Sequence, residues 1–301
     1  MATAAAPAEE VMGSPMRRVS GYLHRHVGVR LGVLLSLPMA WLVIIYLGSL
    51  AVLFAAAFWS VDSFSGVLNK SFTTANFQQV FTDPFYRRVA LRTIGVATAV
   101  TVIDVLIAFP IAFAMAKVVR PRWRPVLVVL VLMPLWASYL VKAYAWRTIL
   151  KPGGLGDSVL GHVGLSTPGF SLRSTIIVLA YLWLPYMILP IYAGLERLPD
   201  SLLEASGDLG AKAGRTFREV VIPLAFPAVV AGSIFTFSLS LGDYIAVQLV
   251  GGPQQLLGNL IYDKLGTANN LPLAAALGTI PVLVMVVYLT LVRRTGALDE
   301  L

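Results

Sequence analysis

Cysteine is absent from the 301 residues, which excludes a disulfide framework, a thiolate nucleophile and a zinc–cysteine site. Charge is scarce as well. Asp, Glu, Lys and Arg make up 13% of the chain, about half the roughly 25% of ordinary soluble domains. The phosphate-cradling pattern G-x-x-x-x-G-K-[ST] is missing; the nearest stretch, GDLGAKAG, has the wrong spacing and no Ser or Thr after Lys212. H-E-x-x-H and G-x-S-x-G are missing too. The three histidines are His24 and His26, in an expected tail, and His162, in an expected outer loop. Nothing here supports a catalytic residue or a metal site in this chain, and any energy for its work must come from another chain or from an ion gradient.

What is present is apolar. Hydrophobic residues make up 57% of the chain and the mean hydropathy is +0.79, more than a soluble core of this length can absorb. The bilayer is therefore the expected solvent. The net charge of +8 invites a nucleic-acid reading, but basic loops beside spans already follow from the positive-inside rule, and no nucleic-acid partner is expected.

Residues 1–16 are rich in Ala, Pro and Glu without apolar periodicity, and residues 1–30 are predicted to be a disordered cytoplasmic tail. The first apolar run, Leu31 to Trp59, is far longer than the roughly 7–15 residues of a signal peptide's apolar region, so it reads as an uncleaved span. Five more segments reach the roughly 20 residues a span requires: Val89 to Val119, Val126 to Leu150, Ser174 to Leu195, Leu224 to Val250 and Leu271 to Val292. Pro110, Pro134, Pro185 and Pro190 fall inside them, which bundled spans tolerate. The prediction is an all-α protein with one transmembrane domain over 31–294 and a short tail at 295–301. With the N-terminus inside, fourteen of the 23 lysines and arginines fall on the cytoplasmic side, favouring both termini there. The segments 60–86, 151–172 and 251–270 then form outer loops.

The most charged stretch between spans, LLEASGDLGAKAGRTFREVVIPLAFP at 202–227, lies in a cytoplasmic loop over 196–223. Leu198, Pro199, Asp200 and Ser201 form a helix start, with Asp or Ser able to cap the free amides. Leu202, Leu203, Ser206 and Leu209 then recur at spacings of three and four, and Gly210 can end the helix in a left-handed cap. From Lys212 the chain can turn helical again toward Pro223. Such an element can lie on lipid, pack on its own bundle or dock into a partner's groove.

The residue order of this loop resembles that of permease subunits in ATP-binding-cassette (ABC) importers. Their pattern is Glu-Ala-Ala, three residues, Gly, nine residues, Ile-x-Leu-Pro. It aligns here as Glu204, Ala205, Ser206, then Gly210, then Val220 to Pro223. Ser206 stands in place of an Ala, and Val220 and Ile222 in place of Ile and Leu. VKAYAWRTIL at 141, LERLPDSLLEASGDLGA at 195, SLGDYIAVQLVGG at 240 and LLGNLIYDKL at 256 look like the spermidine and putrescine branch. Together they cover roughly residues 30 to 295.

The resemblance implies a six-span type I importer transmembrane domain whose coupling helix sits in a cleft on an ATPase subunit. Glu204 would lie near that surface, Ala205 and Ser206 would permit close approach, Leu203 and Leu209 would flank the contact, Gly210 would supply the turn, and Pro223 would close the motif. It further implies two ATPase subunits that bind ATP and Mg, a second permease, an extracytoplasmic solute-binding protein, and a place in the cell membrane.

For the solute path, ionisable residues within spans are the first candidates. Asp104 lies mid-span, facing the path or pairing with a basic group or hydroxyl. Asp243, beside Tyr244, lies near the outer end of its span unless the helix is broken, which Gly242 makes plausible. Trp136, Tyr139, Tyr144, Tyr181, Trp183 and Tyr186 put aromatic rings on spans three and four, where they can face alkylammonium groups or form an interfacial belt. Lys142 and Arg147 can snorkel to headgroups or face the path, in which case an anionic solute fits better. The alternative function is a secondary transporter driven by an ion gradient, with Asp104 as its coupling site.

Overall fold

The computed structural model describes residues 27–62, 65–162 and 164–297. The expected N-terminal tail lies outside these residues as far as His26, as do the last four residues of the expected C-terminal tail. The chain divides into two compact units, residues 1–55 and 56–301. The first holds α1 (Val27–Trp41), a π-helical turn (Leu42–Leu47) and all but the last residue of α2 (Gly48–Ala56), which follow one another without interruption. Leu34–Ala56 is long and apolar enough to cross a membrane. Leu37, Ile44 and Val52 are all exposed, as expected of side chains whose solvent is lipid.

The second unit opens with a small hairpin, β1 (Ser60–Val61) against β2 (Leu68–Asn69), in the register Ser60 to Asn69. A short helix, α3 (Ala75–Thr82), leads into α4 (Pro84–Phe113), which continues as a π-helical turn, Ala114–Val118. Asp83 starts α4: its Oδ1 accepts from the Phe85 amide at 2.8 Å, with Pro84 at the first position, where its missing N–H costs nothing. Pro110 lies inside this helix without breaking it.

The expected third span, Val126 to Leu150, is not one straight helix. It is a pair, α5 (Arg124–Trp136) and α6 (Tyr139–Leu150), bent by 85° where Ala137 and Ser138 leave the helical conformation. Pro134 has already removed one amide donor from the last turn of α5. Next come α7 (Leu155–Gly161) and α8 (Leu172–Arg197), the latter holding Pro185 and Pro190. The loop after α8 contributes α9 (Asp200–Asp208) and α10 (Ala213–Thr216). A π-helical turn (Phe217–Val221) joins α10 to α11 (Ile222–Gly242), so that Ala213–Gly242 is a single 30-residue candidate span. The expected fifth span thus starts earlier and stops at Gly242; Asp243 and Tyr244 are non-helical, and α12 (Ile245–Val250) is separate. The segment expected as an outer loop at 251–270 contains α13 (Leu257–Gly266), and α14 (Leu271–Arg293) is the last span. Among the described residues five helices can cross a membrane, or six if the bent pair counts as one.

α4, α8 and α11 form the centre of the bundle. One buried cluster joins Ala108, Ala112 and Met115 of the α4 segment to Met187, Ile191 and Leu195 of α8 and Ala225 of α11. Membrane helices approach closely through small residues because lipid supplies no hydrophobic drive between them. Gly232 on α11 shows this: a Cβ there would stand 2.7 Å from Met187 Sδ and 3.2 Å from its Cα and carbonyl oxygen. Gly95 on α4 has open space instead. Gly232→Ala is therefore expected to cost about 1–3 kcal/mol by overpacking, read as a lower melting temperature in detergent. Gly95→Ala is expected to leave the melting temperature unchanged or slightly raised, through the better helix propensity of Ala.

Candidate functional site

The break after α11 builds the first site. Asp243 is buried, and its Oδ1 accepts from the Ala246 amide at 2.9 Å, covering an amide that α12 leaves unpaired at its start. Its other oxygen accepts from the Tyr139 hydroxyl. Tyr139 is the first residue of α6, so the bend between α5 and α6 is what delivers this phenol. Trp183 of α8 lies 5.9 Å from the Tyr139 ring, and Tyr186 lies 5.9 Å from Trp183. On the other side, Tyr244 stacks on Tyr262 of α13 at 4.9 Å. Of these groups Tyr139, Trp183, Asp243 and Tyr244 line an open cavity of about 290 Å³, together with Ser238, Leu239, Gly242 and Ile245. The buried Trp183 Nε1 has no hydrogen-bond partner among the described residues, leaving a donor beside the cavity. Chemically, this is a carboxylate among aromatic faces, an arrangement that favours a cation.

Of the path residues predicted from sequence, Tyr139, Trp183, Asp243 and Tyr244 share this cavity. Trp136 and Tyr144 do not line it; they are 76% and 53% exposed, because the bend turns the end of α5 and one face of α6 outward. Asp104 is fully buried on α4 and also lies outside the cavity. Of its two expected roles, facing the path or pairing with a basic group or hydroxyl, the second finds no support: neither carboxyl oxygen has a hydrogen-bond partner among the described residues. Arg147 lies 5.8 Å over the Phe170 ring. Two contributors went unforeseen. Tyr262 sat in an expected loop. Gly258, at the start of α13, lies so close to the break that a Cβ would come within 2.6 Å of the Asp243 carbonyl oxygen.

The second site is the loop over 196–223, expected from the sequence on the cytoplasmic side. Neither Asp200 nor Ser201 caps α9. Pro199 precedes the helix without a side-chain cap, and Asp200 is drawn instead to Lys117, whose Nζ donates to Asp200 Oδ1 and to the Leu198 carbonyl, both at 2.6 Å. That hydrogen bond and charge hold the Asp200 carboxyl below the usual range. Gly210 does end the helix, with φ +81°. The Ala211 amide reaches back to the Ser206 carbonyl at 3.1 Å and the Gly210 amide to Gly207 at 2.8 Å, the paired bonds of a glycine C-cap.

The predicted apolar edge divides. Leu203 packs inward against the cluster holding Met115, Tyr192 and Leu195, and the Ser206 hydroxyl lies 2.8 Å from Thr216 Oγ1. Leu209, a cap residue rather than part of the helical face, is 89% exposed, and Leu202 is exposed too. Glu204, Ala205, Asp208 and Pro223 also face outward. The loop thus anchors one side on its own bundle and presents a mixed acidic, small and apolar surface on the other.

Residues 97–295 match the family described as the binding-protein-dependent transport system inner membrane component. The chain belongs to this family. It is 42% identical to the inner membrane ABC transporter permease protein YdcU of Escherichia coli K12, with 98% of this chain and 100% of that protein covered. It is 31% identical to the spermidine/putrescine transport system permease protein PotB of Haemophilus influenzae, covering 81% and 86%. Two solved structures share the fold. One is a bacterial ABC transporter that imports the acidic polysaccharide alginate, with TM-score 0.64 at 16% identity and 92% and 99% of the two chains covered. The other is a bacterial alginate ABC transporter bound to a pentasaccharide-loaded periplasmic protein, with TM-score 0.71 at 17% identity and 91% and 95% covered. The permease is a multi-pass inner membrane subunit of an ABC importer and not an enzyme. Its family works with ATPase and binding-protein partners, which decides against the ion-gradient alternative.

Proposed function

We propose that this permease passes a polyamine or a related alkylammonium solute across the membrane, with the Asp243 cavity as a station on its path. The observation that carries this reading is the buried Asp243 carboxylate, held by Tyr139 and edged by Trp183 and Tyr244. A carboxylate withdrawn from water is a costly feature unless a cation or a set of hydrogen bonds compensates it, and aromatic faces add attraction for ammonium groups. The likeness to PotB, named for spermidine and putrescine transport, agrees with that chemistry.

In this reading Glu204, Ala205, Ser206 and Gly210, flanked by Leu203, Leu209 and Pro223, form the surface that an ATPase subunit engages. The exposed side of α9 supports it, since an acidic and apolar face on a short helix fits a partner groove. A second permease completes the pathway, and both termini lie in the cytoplasm. The test is uptake by the transporter reassembled from this permease with its ATPase and binding-protein partners. ATP-driven accumulation of labelled spermidine, competed by putrescine and not by an acidic oligosaccharide, is the expected result. Uptake of the acidic sugar with none of spermidine overturns the assignment.

A further inference from the structure

The loop that carries α9 is fastened to α4 at two points. The first is polar. Lys117, on the π-helical turn that ends the α4 segment, spends its ammonium on the Leu198 carbonyl and the Asp200 carboxylate. Its side chain is 8% exposed, whereas that of Asp200 is 70% exposed. A lysine shut away to that degree needs acceptors for its protons, and both come from the turn that starts α9.

The second point is aromatic. Phe217, just beyond α10, stands edge-on to Phe109 and Phe113 of α4 at 5.6 and 5.5 Å. Between the two points, the Ser206–Thr216 hydrogen bond ties α9 to α10. Both attachments fall on π-helical turns, Ala114–Val118 and Phe217–Val221. Residues of these turns (Met115, Ala116, Phe217 and Val221) share one packed cluster. Single π-turns inside helices are rare and concentrate at functional sites.

We propose that Lys117 is a positioning residue that yokes the coupling helix to α4, so that displacement of α9 reaches α4 directly as well as along the chain into α11. The inference rests on the coupling role of α9 proposed above. The edge-on aromatic contact holds the far end of the loop. The two short hydrogen bonds from Lys117 fix the near end in position and angle. Without them α9 can tilt on its Gly210 cap, and a push from the ATPase is absorbed within the loop.

The test uses the complete transporter in proteoliposomes and reads solute imported per ATP hydrolysed, a ratio that a loss of folded protein does not change. K117M is expected to lower the ratio about fivefold or more, the lower end of typical coupling between sites, with the ATPase still bound. K117R, which can reach both acceptors, retains most of it. D200N acts in the same direction by less, and the double variant K117M/D200N is no worse than K117M because the two act through one link. An unchanged ratio in K117M, or additive losses in the double variant, overturns the yoke. Should K117M fail to accumulate, a wild-type ratio in D200N overturns it, since Asp200 is exposed and its replacement spares the fold. E204K separates the two ideas: if it abolishes coupling while K117M does not, only the yoke fails, whereas wild-type behaviour of E204K removes the coupling role itself.

Discussion

Asp243→Asn lowers solute uptake by the assembled transporter by about tenfold to a hundredfold. The substitution is nearly isosteric, so its effect isolates charge. The Asn side-chain oxygen can still accept from the Ala246 amide, now 2.9 Å from Asp243 Oδ1, and α12 keeps its start. Its amide nitrogen replaces the oxygen that accepts from Tyr139, and the phenol, able to donate or accept, turns to accept instead. What disappears is the negative charge in the aromatic cavity. A hydrogen bond to a charged group contributes about 1.5–3 kcal/mol, which gives the stated range, since about 1.4 kcal/mol is a factor of ten. Membrane abundance and ATPase co-purification stay at wild-type levels. Tyr139→Phe keeps the charge and removes only its donor, so a smaller loss is expected. Normal uptake by D243N would take the carboxylate out of the path and with it the cationic reading of the solute.

How far the sequence reached is best seen at the same residue. Hydropathy located every apolar run, because a span is a matter of length and composition. It was blind to direction. The run from Val126 to Leu150 carries Pro134 and Ser138 at its 85° bend, but a proline and a serine also occur inside straight spans, so only the fold shows that Tyr139 heads a new helix while Trp136 ends exposed. At Asp243 the chain did carry a local signal, a glycine beside a carboxylate late in a span, and the helix does stop at Gly242. Tyr262 and Gly258 gave no such signal. Their role depends on α13 folding back onto the break, a contact between distant segments that no local pattern encodes. In the loop, Gly210 marked the end of α9 correctly because a positive φ is a local demand. The helical spacing that grouped Leu209 with Leu203 failed because the helix closes at Asp208 and Leu209 falls in the cap. Lys117 counted toward charge bias in the sequence, and its pairing with Asp200 across 83 positions became visible only in the fold.

Glu204→Lys is expected to reduce uptake at least about tenfold without reducing the amount of permease in the membrane. Glu204 is exposed on α9, and exposed substitutions away from special features usually change stability by no more than about 0.5 kcal/mol. A large loss must then arise outside this chain, where an introduced like charge against a partner costs several kcal/mol. Gly210→Val attacks the same element from its backbone. At φ +81° an L side chain costs roughly 1–2 kcal/mol, more for a β-branched one. The cap holding the Ala211 and Gly210 amides opens instead, so the end of α9 loses its shape while the packed side, through Leu203 and Phe217, stays on the bundle. The two variants therefore disturb one surface by unrelated means, charge in one and backbone geometry in the other. Loss of ATPase co-purification in both, with folded permease retained, is the outcome that places the contact on α9. Wild-type uptake in both leaves the exposed acidic face without a partner and removes the helix from the transport cycle.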